Sequence, residues 1–367
     1  MINTLIPDKM GSYKENDVTF LLRDISNYIT ETNTEERESF IQGGRHYSEM
    51  LPVEYQPNDE YVSLFHKSLN EYAYRIAVAV GVVADQIVQL KDLNKLVLVS
   101  LARAGTPIGV LIKRYIEHKY GVAVPHYSIS IIRGRGIDEI AIDYIFAHHK
   151  DAQIQFIDGW TGKGAITQEL DSSCSQYNLT HAQKLDSSLA VLADPGHCVS
   201  IYGTREDFLI PSACLNSTVS GLVSRTVLNY DFMEKNDFHG AKYYKELSDV
   251  DLSNVYVDTI SNEFPFISEA VEQQLAHKQT EEKPLWLGLN SVKAIQEKFN
   301  ITNSHFVKPG VGETTRVLLR RIPWKILINP NYTNDLTHIL ILAKERNVPI
   351  EEYTDMSYSC CGIIKEL

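Results

Sequence analysis

Asp158-Gly159-Trp160-Thr161-Gly162-Lys163-Gly164 packs more chemistry into fewer residues than any other segment of this 367-residue chain. It follows an apolar run, Gln153 to Ile157, that reads as a buried strand. It precedes a stretch from about Ala165 to Tyr177 that reads as a helix. Glycines in such a turn let successive N–H groups converge on a phosphate, and Lys163 adds a cation. Asp158 suits a sugar hydroxyl or a metal-bound water, and equally a strand-end cap. The spacing is too short for G-x-x-x-x-G-K, Gly164 stands where Ser or Thr would ligate Mg2+, and G-x-x-G-x-G is not the dinucleotide fingerprint. A second turn, Ser100 to Pro107, also leaves a buried strand (Lys95 to Ser100) and enters a helix (Pro107 to Tyr120). Ala102, Ala104 and Gly105, with Thr106 beside them, admit a ligand close to the backbone, and Arg103 offers a fork of donors to an anion. Between the turns, Arg133-Gly134-Arg135-Gly136 is basic and glycine-rich. It suits closure over a polyanion, or a solvated turn.

These turns need a frame. Apolar spacing predicts helices over Val18 to Tyr28 and Tyr61 to Leu90, the second started by Pro57-Asn58-Asp59. Val122 to Ile132 reads as a strand, Ile137 to His148 as a helix, and Leu189 to Ala193 and Cys198 to Tyr202 as further strands. Strands alternating with helices predict an α/β fold, a parallel sheet with helices on both faces and ligands beyond the carboxyl ends of its strands. The alternation restarts in the tail: helix Val311 to Leu319, strand Trp324 to Ile328, helix Asp335 to Arg346, short strand Val348 to Tyr353. The polar stretch 277–284 ends in Pro284 and reads as a linker. It divides a first domain, 1–276 with a helical extension over 1–90, from a small C-terminal α/β domain, 285–367, large enough for a core of its own.

With 44% apolar and 22% charged residues the chain is of ordinary globular composition. The longest uncharged apolar run, Ile76 to Ala84, is far short of the ~20 residues of a membrane span, so no membrane partner is expected. No leader-like segment is visible. Five cysteines without C-x-x-C spacing predict a reducing, cytoplasmic location. The net charge of −12 is unevenly spread: 25 Lys+Arg oppose 39 Asp+Glu over 1–284, and 10 oppose 8 over 285–367. Lys308, Arg316, Arg320, Arg321 and Lys325 face only Glu313 between 308 and 325, which points to nucleic acid.

Two phosphate turns in this order resemble a type I phosphoribosyltransferase. Arg103-Ala104-Gly105 is similar to the pyrophosphate loop of uracil phosphoribosyltransferases, and Phe156 to Gly164 to the phosphoribosyl diphosphate (PRPP) loop, with Gly159 in place of the usual second acid. A broader likeness covers nearly the whole chain. Gly11-Ser12-Tyr13, Asp17 to Leu22, Ile41 to Gly44, His46 to Met50, Ser100 to Pro107, Phe156 to Gly164 and Pro211 to Thr226 resemble the StiP family of tellurite-resistance and stress-response clusters. That resemblance implies a phosphoribosyltransferase-like domain fused to a Pelota-type RNA-binding domain, and it carries a cysteine-protease label. Gly310-Val311-Gly312-Glu313-Thr314-Thr315-Arg316 is similar to the Gly-x-Asn-Glu-x-x-Lys element of Pelota proteins, with Gly312 for Asn and Arg316 for Lys.

The resemblance implies a Mg2+-dependent transfer from PRPP or a nucleotide-like substrate. Arg103 would meet pyrophosphate, Asp158 ribose or metal water, and Thr161, Gly162, Lys163 and Gly164 the 5′-phosphate. Gly159, Trp160, Arg133 and Arg135 would close around it, and Asn216, Ser217 and Thr218 would shape the base pocket. RNA would meet Gly310, Gly312, Glu313, Thr314, Arg316, Arg320, Arg321 and Lys325. A homo-oligomer is compatible with this reading. Two alternatives stand: a cysteine protease, for which Cys214 with His239 or His46 is the nearest pairing, and a non-catalytic binder with a degraded transferase site.

Overall fold

Asn58 starts the longest helix, its side-chain oxygen accepting from Tyr61 N at 3.1 Å, with Asp59 and Glu60 favouring the positive end of the dipole. The computed structural model describes residues 5–33, 36, 40, 43–54, 56–278, 283–332 and 335–365, with the backbone alone at 319–320. Its first unit is a seven-stranded sheet. The strands β1 (Thr19–Phe20), β2 (Leu96–Ala102), β3 (His126–Ile132), β5 (Gln153–Trp160), β6 (Leu189–Ala193) and β7 (Ile201–Thr204) run parallel in the order β1-β3-β2-β5-β6-β7. The short β4 (Gly136–Ile137) pairs antiparallel with β3.

Strand alternation sends side chains to two cores. Leu96 and Leu98 pack with Ile76 and Val80 of α1 (Asp59–Leu90) and Leu111 of α2 (Thr106–Tyr120). Val97, Val99 and Leu101 pack with Ile142 and Ile145 of α3 (Glu139–His148) and Leu170 of α4 (Ala165–Thr180). α5 (Ser253–Ser261) and α6 (Ser268–His277) add Tyr256, Ile260 and Val271 to the first core. An 18-residue window of α1 is apolar enough to cross a membrane, but 67% of it is buried here, against the sheet and α2.

The helix expected over Val18 to Tyr28 does not form. Thr19 and Phe20 pair with Tyr127 and Ser128, and Phe20, Leu21, Leu22 and Ile25 are buried from extended backbone. Tertiary pairing overrides a spacing that fits either element over so short a run. β5 runs three residues further than expected, with Asp158 opposite Val191 and Trp160 opposite Ala193. Asp158 therefore sits within the strand and not at its end.

The tail begins with α7 (Leu287–Phe299), then β8 (Val307–Pro309), α8 (Val311–Arg320), β9 (Pro323–Ile328), α9 (Thr337–Glu345), β10 (Ile350–Glu352) and β11 (Cys360–Ile364). Its sheet has the order β8-β11-β9-β10. Leu327, Cys361 and Ile363 face a core made with Val292 and Ile295. Ile326 and Cys360 face the other way, joining Leu318, Ile339, Phe208, Ile210 and Ala213 in the first unit's core. Trp286 N donates to His197 O at 3.0 Å and Gly288 N to Gly196 O at 2.9 Å. A Cβ at Gly288 would overlap the Tyr358 hydroxyl and stand 2.8 Å from Gly196 Cα.

Candidate functional site

From β2 the chain moves to β3 on one side, then crosses to β5 on the other. Loops leaving such neighbouring strands part and open a crevice at the carboxyl edge. The Arg103 and Thr161 turns lie there. Ser100 Oγ is 2.8 Å from His126 Nε2, and His126 Nδ1 is 2.8 Å from Asp17 O. Burial pulls this histidine down to about 4, so a neutral ring donates to Asp17 and accepts from Ser100, fixing the first turn. The second turn hangs on Asp194. This fully buried carboxylate accepts from Cys198 N at 2.9 Å, from Val199 N at 3.1 Å and from the Thr161 hydroxyl, and pairs with Arg205.

Two adjoining cavities fill the crevice. One of about 320 Å³ is lined by Ala102, Arg103, Ala104, Asp158, Trp160, Ser212, Asn216 and Arg316. The other, of about 280 Å³, is lined by Arg133, Asp158, Trp160, residues 161–167, Lys308 and Glu313. The tail thus closes the crevice of the first unit. Arg316 stacks 5.1 Å over the Trp160 ring and pairs with Glu313 at 3.0 Å. Tyr358 OH donates to Gly162 O at 3.0 Å, and Lys163 Nζ to Ser304 O at 3.0 Å. Asp207 accepts from Val311 N and Ser359 N, both at 2.9 Å, and so caps α8 from the first unit. Burial pushes this carboxyl up to about 6 against those two N–H groups.

The crevice is cationic at one end and acidic at its floor. Burial, then Lys308 and Arg133, bring Lys163 down to about 8, and burial lowers Lys308 as well. Desolvation raises Asp158 to about 7, against the bond from Gly159 N at 2.8 Å and the charge of Arg316. This pair can hold a phosphate at the lysine end and share a proton with a sugar hydroxyl at the other.

Residues 11–261 match the family model described as tellurite-like stress resistance cysteine protease StiP. A protein of Acinetobacter baylyi (strain ATCC 33305 / BD413 / ADP1) named Cysteine protease StiP is 32% identical over 375 residues, covering 97% of this chain and 94% of that protein. The chain belongs to the StiP family. Residues 286–366 match the PELOTA RNA binding domain.

In this StiP-family chain the expected site residues divide. Ala102, Arg103, Ala104, Arg133, Asp158, Trp160, Thr161, Gly162, Lys163, Gly164 and Asn216 line the crevice. Arg103 is held by Glu54 at 3.1 Å and by Val223 O at 3.1 Å, so its charge is already compensated. Thr106 is buried, its hydroxyl 2.8 Å from Ser128 Oγ, and Gly105 is buried too, a Cβ there standing 2.5 Å from Ile157 O. Arg135 pairs with Glu49, away from the crevice. Ser217 and Thr218 are buried behind Asn216, and Ser217 N donates to Glu54 at 2.8 Å. Gly159 has a physical reason: a Cβ there would stand 3.3 Å from Ala104 O, so a second acid would press on the facing turn.

The basic residues of the tail do not form one open face. Glu313 and Arg316 point into the crevice, Thr314 is buried, and Lys325 pairs with Glu351 at 2.7 Å beside Phe299. Arg321 is exposed, and the Arg320 side chain lies outside the described residues, as do Ile41 and Gln42. Gly310 sits at φ +89 as the residue before α8, and a Cβ at Gly312 would stand 3.5 Å from Trp160. A side chain at 312 would therefore lie in contact with Trp160 and Ala213.

Sequence reasoning missed Glu54, Asp194, Asp207 and Tyr358. Asp194-Pro195-Gly196 after a buried strand is a visible turn signal; the other three carry no local one. All five cysteines are buried and none is in a disulfide. Burial pushes the thiols of Cys174, Cys198 and Cys361 up to about 12, and raises that of Cys360 well above its ordinary range.

Proposed function

We propose that the crevice binds a phosphorylated ribose, PRPP or a 5′-nucleotide, and transfers the ribosyl group at its anomeric carbon. The observation that carries this reading is the Thr161–Gly164 turn entering the start of α4 beside Lys163, Lys308 and Arg133, opposite the Arg103 turn. The lysines and Arg133 hold the 5′-phosphate; Asp158 meets a ribose hydroxyl; Trp160 and the tail exclude water from the reacting carbon. With PRPP the bond from that carbon to pyrophosphate breaks, the pyrophosphate leaves with the electron pair, a bond to the acceptor forms, and the acceptor's proton passes to solvent.

Among the described residues no group of three or more His, Cys, Asp or Glu is placed to hold a metal. The single carboxylates Asp158 and Glu313 fit a Mg2+ that arrives already chelated by pyrophosphate. Bound that way, Mg2+ supplies charge neutralisation of the leaving group. The tail's match makes RNA its partner under this reading, with affinity that falls as salt rises.

Calorimetry with PRPP and Mg2+ tests the assignment: heat is expected with wild type, and none at millimolar ligand would refute it. Asp158 adds a pH signature. Its carboxyl titrates near 7 in the fold, above the ordinary carboxylate range. The stability it supplies is therefore complete below that range and lost as pH rises through about 7. Asp158→Asn should melt higher than wild type at pH 8 and not at pH 5. A 5′-nucleotide should likewise bind more weakly to wild type as pH rises through 7. The ligand's own ionisation and that of Lys163 near 8 act on both proteins, so a pH dependence no larger in wild type than in Asp158→Asn would remove the assignment.

The family's label and the relative's name favour a second reading, cysteine proteolysis. A nucleophilic thiol needs a depressed pKa and access. Cys198 lies nearest the phosphate turn, 3.5 Å from Gly162 O, with its thiol pushed up to about 12. An active-site thiol probe at neutral pH should label the native chain slowly and without site preference. Rapid labelling of one cysteine, blocked by a peptide aldehyde, would put proteolysis first.

A further inference from the structure

The helix start that resembles an RNA reader and the turn that resembles a phosphate cradle face each other across one cavity. Lys308 and Glu313 come from the tail, Lys163 and Arg133 from the first unit, and all four line the same 280 Å³ space. Arg316 lies on Trp160 at the mouth of the adjoining one. An RNA flank lying across the tail would need Glu313 and Arg316 on an open face, whereas their side chains are only 30% and 29% exposed, pair with each other, and Arg316 lies against Trp160 and Ala213. A cleft where three cations converge suits a chain terminus carrying a compact, doubly charged phosphomonoester better than the single charge of an internal phosphodiester.

We propose that the two sites are one: the crevice takes the phosphorylated terminal nucleotide of an RNA, its phosphomonoester between Lys163, Lys308 and Arg133 and its base against Trp160 and Arg316. The ligand chemistry is a ribonucleoside phosphomonoester, which a free nucleotide also offers, so a free nucleotide and the RNA end exclude each other. Trp160 is a stacking surface that accepts any base once the Arg316 guanidinium slides aside. Burial lowers both ammonium groups, Lys308 and Arg133 lower Lys163 further, and Arg321, Arg133 and Arg316 lower Lys308 against the charge of Glu313; a phosphate among these cations would relieve them. The inference rests on the reading of the crevice as a phosphate site and adds the polymer that brings the phosphate.

The test uses the full chain and a short single-stranded RNA, labelled at one end and carrying at the other a 5′-phosphate, a 3′-phosphate or a hydroxyl, followed by fluorescence anisotropy at low and physiological salt. A phosphorylated end is expected to bind at least about tenfold tighter than a hydroxyl end. AMP should displace it, and Lys163→Ala and Lys308→Ala, one from each unit, should each abolish the preference. Equal binding of all ends without displacement by AMP places RNA elsewhere and overturns the inference, while PRPP heat in calorimetry would leave the small-molecule reading standing. AMP binding with no RNA binding at low salt also overturns it. A phosphate-dependent RNA signal that Lys163→Ala removes, without PRPP heat, supports the inference and refutes the transfer reading. Displacement by AMP is read on wild type, so a variant that misfolds does not decide the outcome.

Discussion

Asp194→Ala is expected to destabilise the protein by about 3–5 kcal/mol, the range for breaking a buried ion pair and leaving its partner uncompensated. Asp194 has no exposed surface and gathers Arg205, the Thr161 hydroxyl and the N–H groups of Cys198 and Val199. Arg205 is 19% exposed and lies 3.6 Å over the Tyr202 ring, a stack that would have to break for the guanidinium to turn fully into water. Removing the carboxylate also frees Thr161, so phosphate affinity should fall even under conditions where the variant is folded. Asp194→Asn keeps the shape and one acceptor and should lose less. Denaturant titration of the three proteins checks the order, and a loss under about 1 kcal/mol for Asp194→Ala would show that Arg205 finds water after all.

Asp207→Ala should have the next largest effect. Its two oxygens each accept one tail N–H, from Val311 at the start of α8 and from Ser359 just before β11. Hydrogen bonds to a charged group are worth about 1.5–3 kcal/mol each, so a loss of about 3 kcal/mol is expected, concentrated at the contact between the two units. Hydrogen exchange should rise at 310–318 and 357–361 and stay unchanged in β2 and β5. Uniform acceleration across the chain would mean that the contact does not open independently. Because Glu313 and Arg316 ride on α8, the variant should also weaken the crevice for its ligand.

The sheet and its two turns were legible because buried parallel strands write themselves as short, near-continuous apolar runs such as Leu96–Ala102 and Leu189–Ala193, each closed by small or polar residues. The N-terminal segment misled because Phe20, Leu21, Leu22 and Ile25 satisfy helical spacing while Ser128 across the sheet decides their backbone. β11 was missed: a five-residue apolar run gives no period to read, yet it is the strand that joins β8 to β9. The turns were found and their residues identified, but which of them reach the crevice depended on partners far along the chain. Glu54 claims Arg103, Glu49 claims Arg135, and Ser128 claims Thr106. The meeting of Arg316 with Trp160 had no local trace at all.

The junction at Gly288, where backbone meets Gly196 and Tyr358 closes over Gly162, has an evolutionary consequence. A tail taken from another protein and spliced at residue 285 would bring its own side chain to the place where only a hydrogen fits, and would lack the phenol that holds the phosphate turn. The two halves are therefore poor exchangeable cartridges at that seam, and substitutions at 196, 288 and 358 are expected to be coupled.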